Sequence, residues 1–276
     1  MKETSERIIP SYYFTNKKLH ARYIFHTRAY ELMEDYVKNK KVLDLGCGEG
    51  YGSYILKEYA KEVTGVDISE EAIKEAIKTH KAKNLKYQTI NNIEKESLPF
   101  KDNSFDIVIS FQVVEHIKNT DKYFKEINRV LKYGGTLILI TPNKKVRLFS
   151  FQNPWNHHHA KEYNYREIEE EVSKYYSAYN IKGYSLKGKY LKEEIKRVNK
   201  LRVFLFPFTN FLIPSFFRKI LLSFIWTFSV GRKMKQKNNK IESFNQKEIF
   251  IIEKSCVIEK YKKDSLNFIC FCRNIK

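Results

Sequence analysis

Cysteine is scarce in this chain: there are four in 276 residues, at Cys47, Cys256, Cys270 and Cys272. A disulfide-stapled scaffold is excluded, and a reduced, cytoplasmic protein fits best. Apolar runs long enough to cross a membrane are missing too. Residues 201–230 are apolar and aromatic, yet Pro207, Pro214, Arg218 and Lys219 cut them into pieces shorter than the roughly 20 residues a spanning helix needs. Residues 1–30 hold Arg7, Lys17, Lys18, Arg22 and Arg28 but no continuous apolar core followed by a small-residue cleavage site, so no secretory signal is visible. Neither an internal repeat nor a low-complexity tract is present. Acidic residues are few in one place: residues 182–240 contain 2 against 15 Lys and Arg, which accounts for most of the net charge of +19. Such a block suggests an anionic partner, either a membrane surface or a nucleic acid; the plainer alternative is a lysine-rich solubilising surface.

What is present is a chain long enough, at 42% hydrophobic residues, for one large buried core with a sizeable cap. Lys41 to Gly46 is a short apolar run closed by glycines, which suits a strand buried on both faces. Tyr54, Ile55, Leu56 and Tyr59 then recur at helical spacing. Val63–Val66, Leu85–Ile90, Phe105–Phe111 and Thr136–Thr141 read as further strands, with helices over Glu70–Ala82 and Asp121–Leu131 between them. This βαβ rhythm predicts a doubly wound, mostly parallel sheet. A helix from Tyr165 to Tyr176 and strands over Tyr179–Leu186 and Leu266–Arg273 follow. The organisation expected is an N-terminal lid (1–40), a core (41–188), a basic aromatic insertion (189–264) and the last core strand (265–276).

The string Val42-Leu43-Asp44-Leu45-Gly46-Cys47-Gly48-Glu49-Gly50-Tyr51-Gly52 falls where a strand ends and a helix begins. Glycines there let the backbone approach a ligand. They recur at every second position, whereas a nicotinamide-binding loop needs G-x-G-x-x-G. Gly46 and Gly48 can instead lie against a methionine moiety, with Asp44 beneath the loop orienting its amino group. Asp67 closes the second strand about twenty residues after the glycines, where a carboxylate accepts from two ribose hydroxyls. Its alternative role is to cap the following helix, which Ser69 is better placed to do.

The order VLDLGCGEG, VTGVDIS, LPFKDNSFDIVISF, VVEHI and LKYGGTLILITPN resembles the class I S-adenosylmethionine-dependent methyltransferases, in the small-molecule branch of ubiquinone-biosynthesis O-methyltransferases and bacterial surface-glycan enzymes. The resemblance covers residues 20–188 and 266–273. It implies a seven-stranded Rossmann-like sheet with a helical insertion before the last strand. It also implies that Asp44, Gly46, Gly48 and Gly50 surround the methionine end, that Asp67 takes the ribose, and that Asn92 and Ile93 flank the adenine; Ile68, after Asp67, is assigned to the cofactor as well.

Ser110 to His116 follows the fourth strand, at the carboxyl edge where ligands bind, and Gln112 there is assigned to the cofactor side. Some members of the family carry E-x-x-E-H in this position and bind a divalent metal with a distant histidine. Gln112 replaces the first glutamate, so no metal is expected. Glu115 and His116 either brace the next helix or act on the acceptor, His116 as a general base. Asn156 to Tyr163 resembles the family's N-x-x-H-x-x-E-Y segment, which makes His159 the second candidate on the acceptor side. The function expected is O-methylation of a small-molecule, sugar or lipid-linked acceptor by S-adenosylmethionine, the enzyme being cytoplasmic and peripheral at the inner face of the membrane. The rivals are an RNA methyltransferase, set back by the apolar neighbours of the basic residues, and a non-catalytic S-adenosylmethionine-binding regulator.

Overall fold

The computed structural model describes residues 17–156, 158–214, 216–218, 220–225 and 244–275, so Arg7, His157, Trp226 and the basic run after it lie outside the described residues. Among the described residues, α1 (Lys17–Glu31) and α2 (Glu34–Val37) precede β1 (Lys41–Leu45). Then come α3 (Tyr51–Leu56), β2 (Glu62–Asp67), α4 (Glu70–Thr79), β3 (Leu85–Thr89) and β4 (Phe105–Phe111). A single tight turn, Val114–His116, leads to α5 (Thr120–Val130), β5 (Leu131–Pro142), α6 (Lys144–Arg147), α7 (Tyr165–Ser173) and β6 (Ala178–Ser185). The chain continues through α8 (Gly188–Thr209), α9 (Gln246–Ser255), β7 (Val257–Lys260) and β8 (Asn267–Arg273).

The strands form one sheet in the order β3-β2-β1-β4-β5-β8-β6-β7. Pairs among β1 to β5 are parallel, while β8 runs antiparallel to both β5 and β6. The alternation read from the sequence therefore gives the expected doubly wound sheet, but with eight strands instead of seven. The extra strand is β7, which pairs antiparallel with β6 from Ser185↔Val257 to Lys182↔Lys260. Its four residues are half polar and leave no alternating signature, so the range 189–264 expected as a cap includes an edge strand.

Local chemistry accounts for the elements. Ser69 caps α4, its side chain accepting from the Ala72 amide, and Ala72, Ile73 and Ala76 bury one face. Asn119 does the same for α5, which buries Tyr123, Phe124, Ile127 and Val130. The central strands β1, β4 and β5 are apolar and buried on both faces, as crossover helices require. One core, under α1, α2, α8 and α9, holds Ile24, Met33, Val42, Ile109, Ile138, Leu205 and Ile252; the other, under α5 and α7, holds Leu43, Val108, Phe124, Ile127, Leu139 and both Cys270 and Cys272. Each fully buried aliphatic side chain contributes about 1.5–3 kcal/mol. All four cysteines are free and buried.

Pro207 does not divide the chain as expected. It sits within the last turn of α8, which continues to Thr209. There the ring removes one hydrogen bond, and the Asn210 amide still reaches the Phe206 carbonyl to close the helix. Among the described residues no helix is long and apolar enough to cross a membrane.

Candidate active site

Strand order reverses between β1 and β4, and the crevice outside their carboxyl ends is where open α/β sheets take ligands. β1 delivers Gly46, Gly48 and Gly50 to this crevice, all at positive φ. At Gly46 the requirement is double. Its φ is +82°, and a Cβ there would lie 2.4 Å from Cγ2 of Val113, the residue after Gln112 at the end of β4. A Cβ on Gly48, by contrast, would meet nothing within 4 Å, so this stretch of backbone faces open space. The Gly48 amide donates to Asp67 Oδ2 at 2.9 Å and the Ser69 amide to Asp67 Oδ1 at 2.8 Å. Asp67 is half-buried, and each of its oxygens keeps a second lone pair for an incoming hydroxyl. Ile68 beside it is 66% exposed.

Asp44 lies beneath the loop and is fully buried. Ser53 donates to its Oδ2 at 2.6 Å and Tyr30, from α1, to its Oδ1 at 3.4 Å. Burial pushes its carboxyl up to about 7, against the pull of these two hydroxyls. An amino group contacts this carboxylate only if one hydroxyl yields or relays. Tyr87 donates to the Gly50 carbonyl at 2.8 Å and props the loop from β3. Asn92 is tied into a turn, its Oδ1 accepting from the Glu94 amide, and Ile93 is buried in the core.

On the other side of the crevice, Gln112 is held at φ 59° with its amide donating to the Ile140 carbonyl at 2.7 Å. A non-glycine residue in that region stores strain of about 1–3 kcal/mol, and here it turns the chain out of β4. Glu115 follows, fully buried. Thr141 donates to its Oε2 at 3.0 Å, its Oε1 has no hydrogen-bond partner, and burial pushes its carboxyl up to about 8. The Glu115 carbonyl accepts from the Ala160 and Lys161 amides, which draws the histidine loop onto the edge of β4.

His116 and His159 then meet with ring centroids 4.8 Å apart and planes at 88°. His116 Nδ1 lies 3.2 Å from the His158 carbonyl, so Nδ1 carries the hydrogen and Nε2 is the proton-accepting atom. His159 Nδ1 lies 2.9 Å from Glu162 Oε1, and Arg147 Nε lies 3.1 Å from both Glu162 oxygens. Burial lowers the basicity of both histidines, keeping them neutral near pH 7. Glu162 is buried as well, yet the charge of Arg147 and the bond from His159 hold its carboxyl below the usual range.

The residues expected from the sequence on the acceptor side, Glu115, His116 and His159, are therefore one cluster, with ligand atoms within 4.8 Å of one another. That spacing admits a metal ion, which sets it against the metal-free expectation drawn from Gln112. Tyr30, Ser53, Tyr87, Arg147 and Glu162 were not anticipated as site residues. Only Glu162 left a usable signal, three residues after His159.

An open glycine cradle, a carboxylate with spare lone pairs and an exposed apolar side chain beside it fit a ligand with a backbone-like end, a ribose and a flat base. Fold and crevice define a doubly wound α/β protein of the cofactor-binding kind. The family described as methyltransferase domain matches residues 37–200, and the chain belongs to it. It is 29% identical over 172 residues to a probable S-adenosylmethionine-dependent methyltransferase of Mycolicibacterium smegmatis, a match covering 60% of this chain and 62% of that protein. It is 31% identical over 115 residues to the ubiquinone biosynthesis O-methyltransferase of Pelagibacter ubique, covering 42% of this chain and 47% of the relative. The YcgJ protein of Bacillus subtilis shares the fold at a TM-score of 0.52 and 21% identity, over 90% of this chain and 97% of that one. The cofactor these relationships indicate is S-adenosylmethionine. The chain spans about three fifths of the length of the first of these relatives.

Proposed function

We propose that this protein methylates a hydroxyl group on a small-molecule, sugar or lipid-linked acceptor, with His116 Nε2 removing the hydroxyl proton. When bound, S-adenosylmethionine supplies a methyl group on a positively charged sulfur that departs as a neutral thioether. Asp44, Gly46, Gly48 and Gly50 would hold its methionine end, Asp67 its ribose and Ile68 the face of its base. The observation that carries the reading is the contact of His116 Nδ1 with the His158 carbonyl, 3.2 Å away, at the carboxyl edge of β4, beside the loop that Gly46 brings against Val113. A neutral imidazole accepts a proton, and the resulting cation is stabilised by the bond to the His158 carbonyl and, less, by the charge of Glu162. Positioning accounts for most of the remaining acceleration. The O-methyltransferase relative supports an oxygen acceptor.

A second reading has its own observation. Glu115, His116 and His159 are close enough to hold a divalent cation, which would activate the hydroxyl directly.

One experiment addresses both. The full chain is incubated with methyl-tritiated S-adenosylmethionine and cell extract separated into small-molecule, lipid and RNA fractions, with and without a chelator. Alkali-stable label in the small-molecule or lipid fraction is expected, undiminished by the chelator. Label confined to RNA, or none from a protein that binds the cofactor, overturns the reading. Loss with chelator, restored by magnesium or zinc, selects the metal.

A further inference from the structure

α8 has two faces. Tyr190, Val198, Leu205 and Thr209 are buried against the core. Lys192, Lys196 and Lys200 form a stripe on the opposite face, at intervals of one turn, and with Ile195, Val203 and Phe204 they line a surface groove of about 760 Å³. The apolar surface continues past the helix end: Phe204 on α8, and Phe211, Leu212, Phe216 and Phe217 after it, are each at least 60% exposed. Monomeric proteins rarely leave so large an apolar face open unless something covers it.

Charge says what kind of surface that is. Residues 195–241 contain 11 Lys and Arg and no Asp or Glu. A second copy would bring the same face onto itself, cation against cation, because two-fold interfaces are self-complementary. Nucleic acid would match the charge, but Leu212, Ile220 and Leu221 cannot stack on bases, and interfaces with nucleic acid are polar. A bilayer with anionic headgroups matches both features at once. Rings and aliphatic side chains enter the headgroup boundary, while lysine stems lie along it with their ammonium groups on the phosphates.

We infer that the outer face of α8 and the aromatic residues 211–217 dock the protein on an anionic phospholipid membrane. The face is joined to the acceptor side of the crevice. The Phe211 amide donates to the Phe151 carbonyl, and Gln152 Nε2 donates to Thr209 Oγ1 at 2.8 Å, so the loop that leads to His159 is fastened to the docked surface. An acceptor carried by the membrane would reach His116 from this side, a corollary that rests on the proposed hydroxyl methylation; the docking itself does not.

The test is sedimentation of the full chain with vesicles of phosphatidylcholine alone or mixed with phosphatidylglycerol, at low salt and at about 1 M, where the screening length falls to about 3 Å. Binding to the anionic vesicles at low salt, lost at high salt, is expected. The triple variant Lys192→Gln, Lys196→Gln, Lys200→Gln should lower partitioning on the order of 100-fold. Phe204→Ser with Phe216→Ser should lower it roughly tenfold or more per ring. All these residues are exposed, so affinity for S-adenosylhomocysteine should be unchanged in both variants, which separates lost docking from lost folding or cofactor binding. No binding to anionic vesicles, binding indifferent to both variants, displacement by an RNA oligonucleotide, or a dimer dissolved by the phenylalanine variant overturns the inference.

Discussion

Replacing Asp44 by Asn should raise the stability of the cofactor-free protein and lower its affinity for cofactor. Asp44 is fully buried, and desolvation pushes its carboxyl up to about 7 from the ordinary 3.8. The folded state therefore holds this proton more tightly than the unfolded one. Stability is greatest in acid, falls as pH rises from about 4 to about 7, and then levels off. At about 1.4 kcal/mol per pH unit, this carboxyl lowers stability by about 4 kcal/mol at pH 8, where it stays charged on folding, and by about 2 kcal/mol at pH 5.5, where folding must protonate it. Asp44→Asn removes that dependence, since Ser53 and Tyr30 can turn their lone pairs toward the new amide. The variant's advantage should thus be about 2 kcal/mol larger at pH 8 than at pH 5.5, a difference of about 4–8 °C in melting temperature for a chain of this size. Calorimetry with S-adenosylhomocysteine should show the opposite sign, a loss of affinity of about 10-fold or more, because a positive amino group no longer meets a negative charge. In the unaltered protein that affinity should fall as pH drops through about 7, where Asp44 becomes neutral. A variant no more stable at pH 8 than at pH 5.5, or one that binds the ligand as tightly as before, refutes the reasoning.

Asp67→Ala should weaken cofactor binding by about 1.5–3 kcal/mol, measured by calorimetry, and unchanged affinity in a folded variant removes the ribose assignment. His116→Asn should slow methyl incorporation by about 10²–10⁴ while leaving S-adenosylhomocysteine affinity intact; parallel losses in both would make His116 structural. Because burial sets His116 below its ordinary 6.5, turnover at saturating cofactor should hold steady from pH 8 to pH 7 and decline only below 6.5, and a decline in that saturated rate beginning above pH 7 would point to another base.

The cofactor side was legible because its requirements are local. Positive φ and close approach demand glycine, and a strand end fixes where Asp67 points, so one short string carries the information. Tyr30 and Ser53 reach Asp44 across tertiary space from helices whose pattern reads as ordinary amphipathic surface, and no spacing announces them. Arg147 was hidden for the same reason, its pairing with Glu162 spanning a loop. The eighth strand escaped because Val257–Lys260 owes its conformation to the free edge of β6 and not to its own residues.

The pairing of Ser185 with Val257 has one more consequence. To the sheet, everything between those two residues is the loop of a single oversized hairpin, whose ends stay together whatever it contains. Lengthening such a loop costs little closure entropy, roughly 0.6 kcal/mol per doubling. Insertions and replacements there leave untouched the register that sets Asp44, Asp67 and Gln112. The segment between them can therefore diverge at its own pace while the strands that carry the glycine loop stay fixed, which lets one scaffold carry a new surface by rewriting a loop.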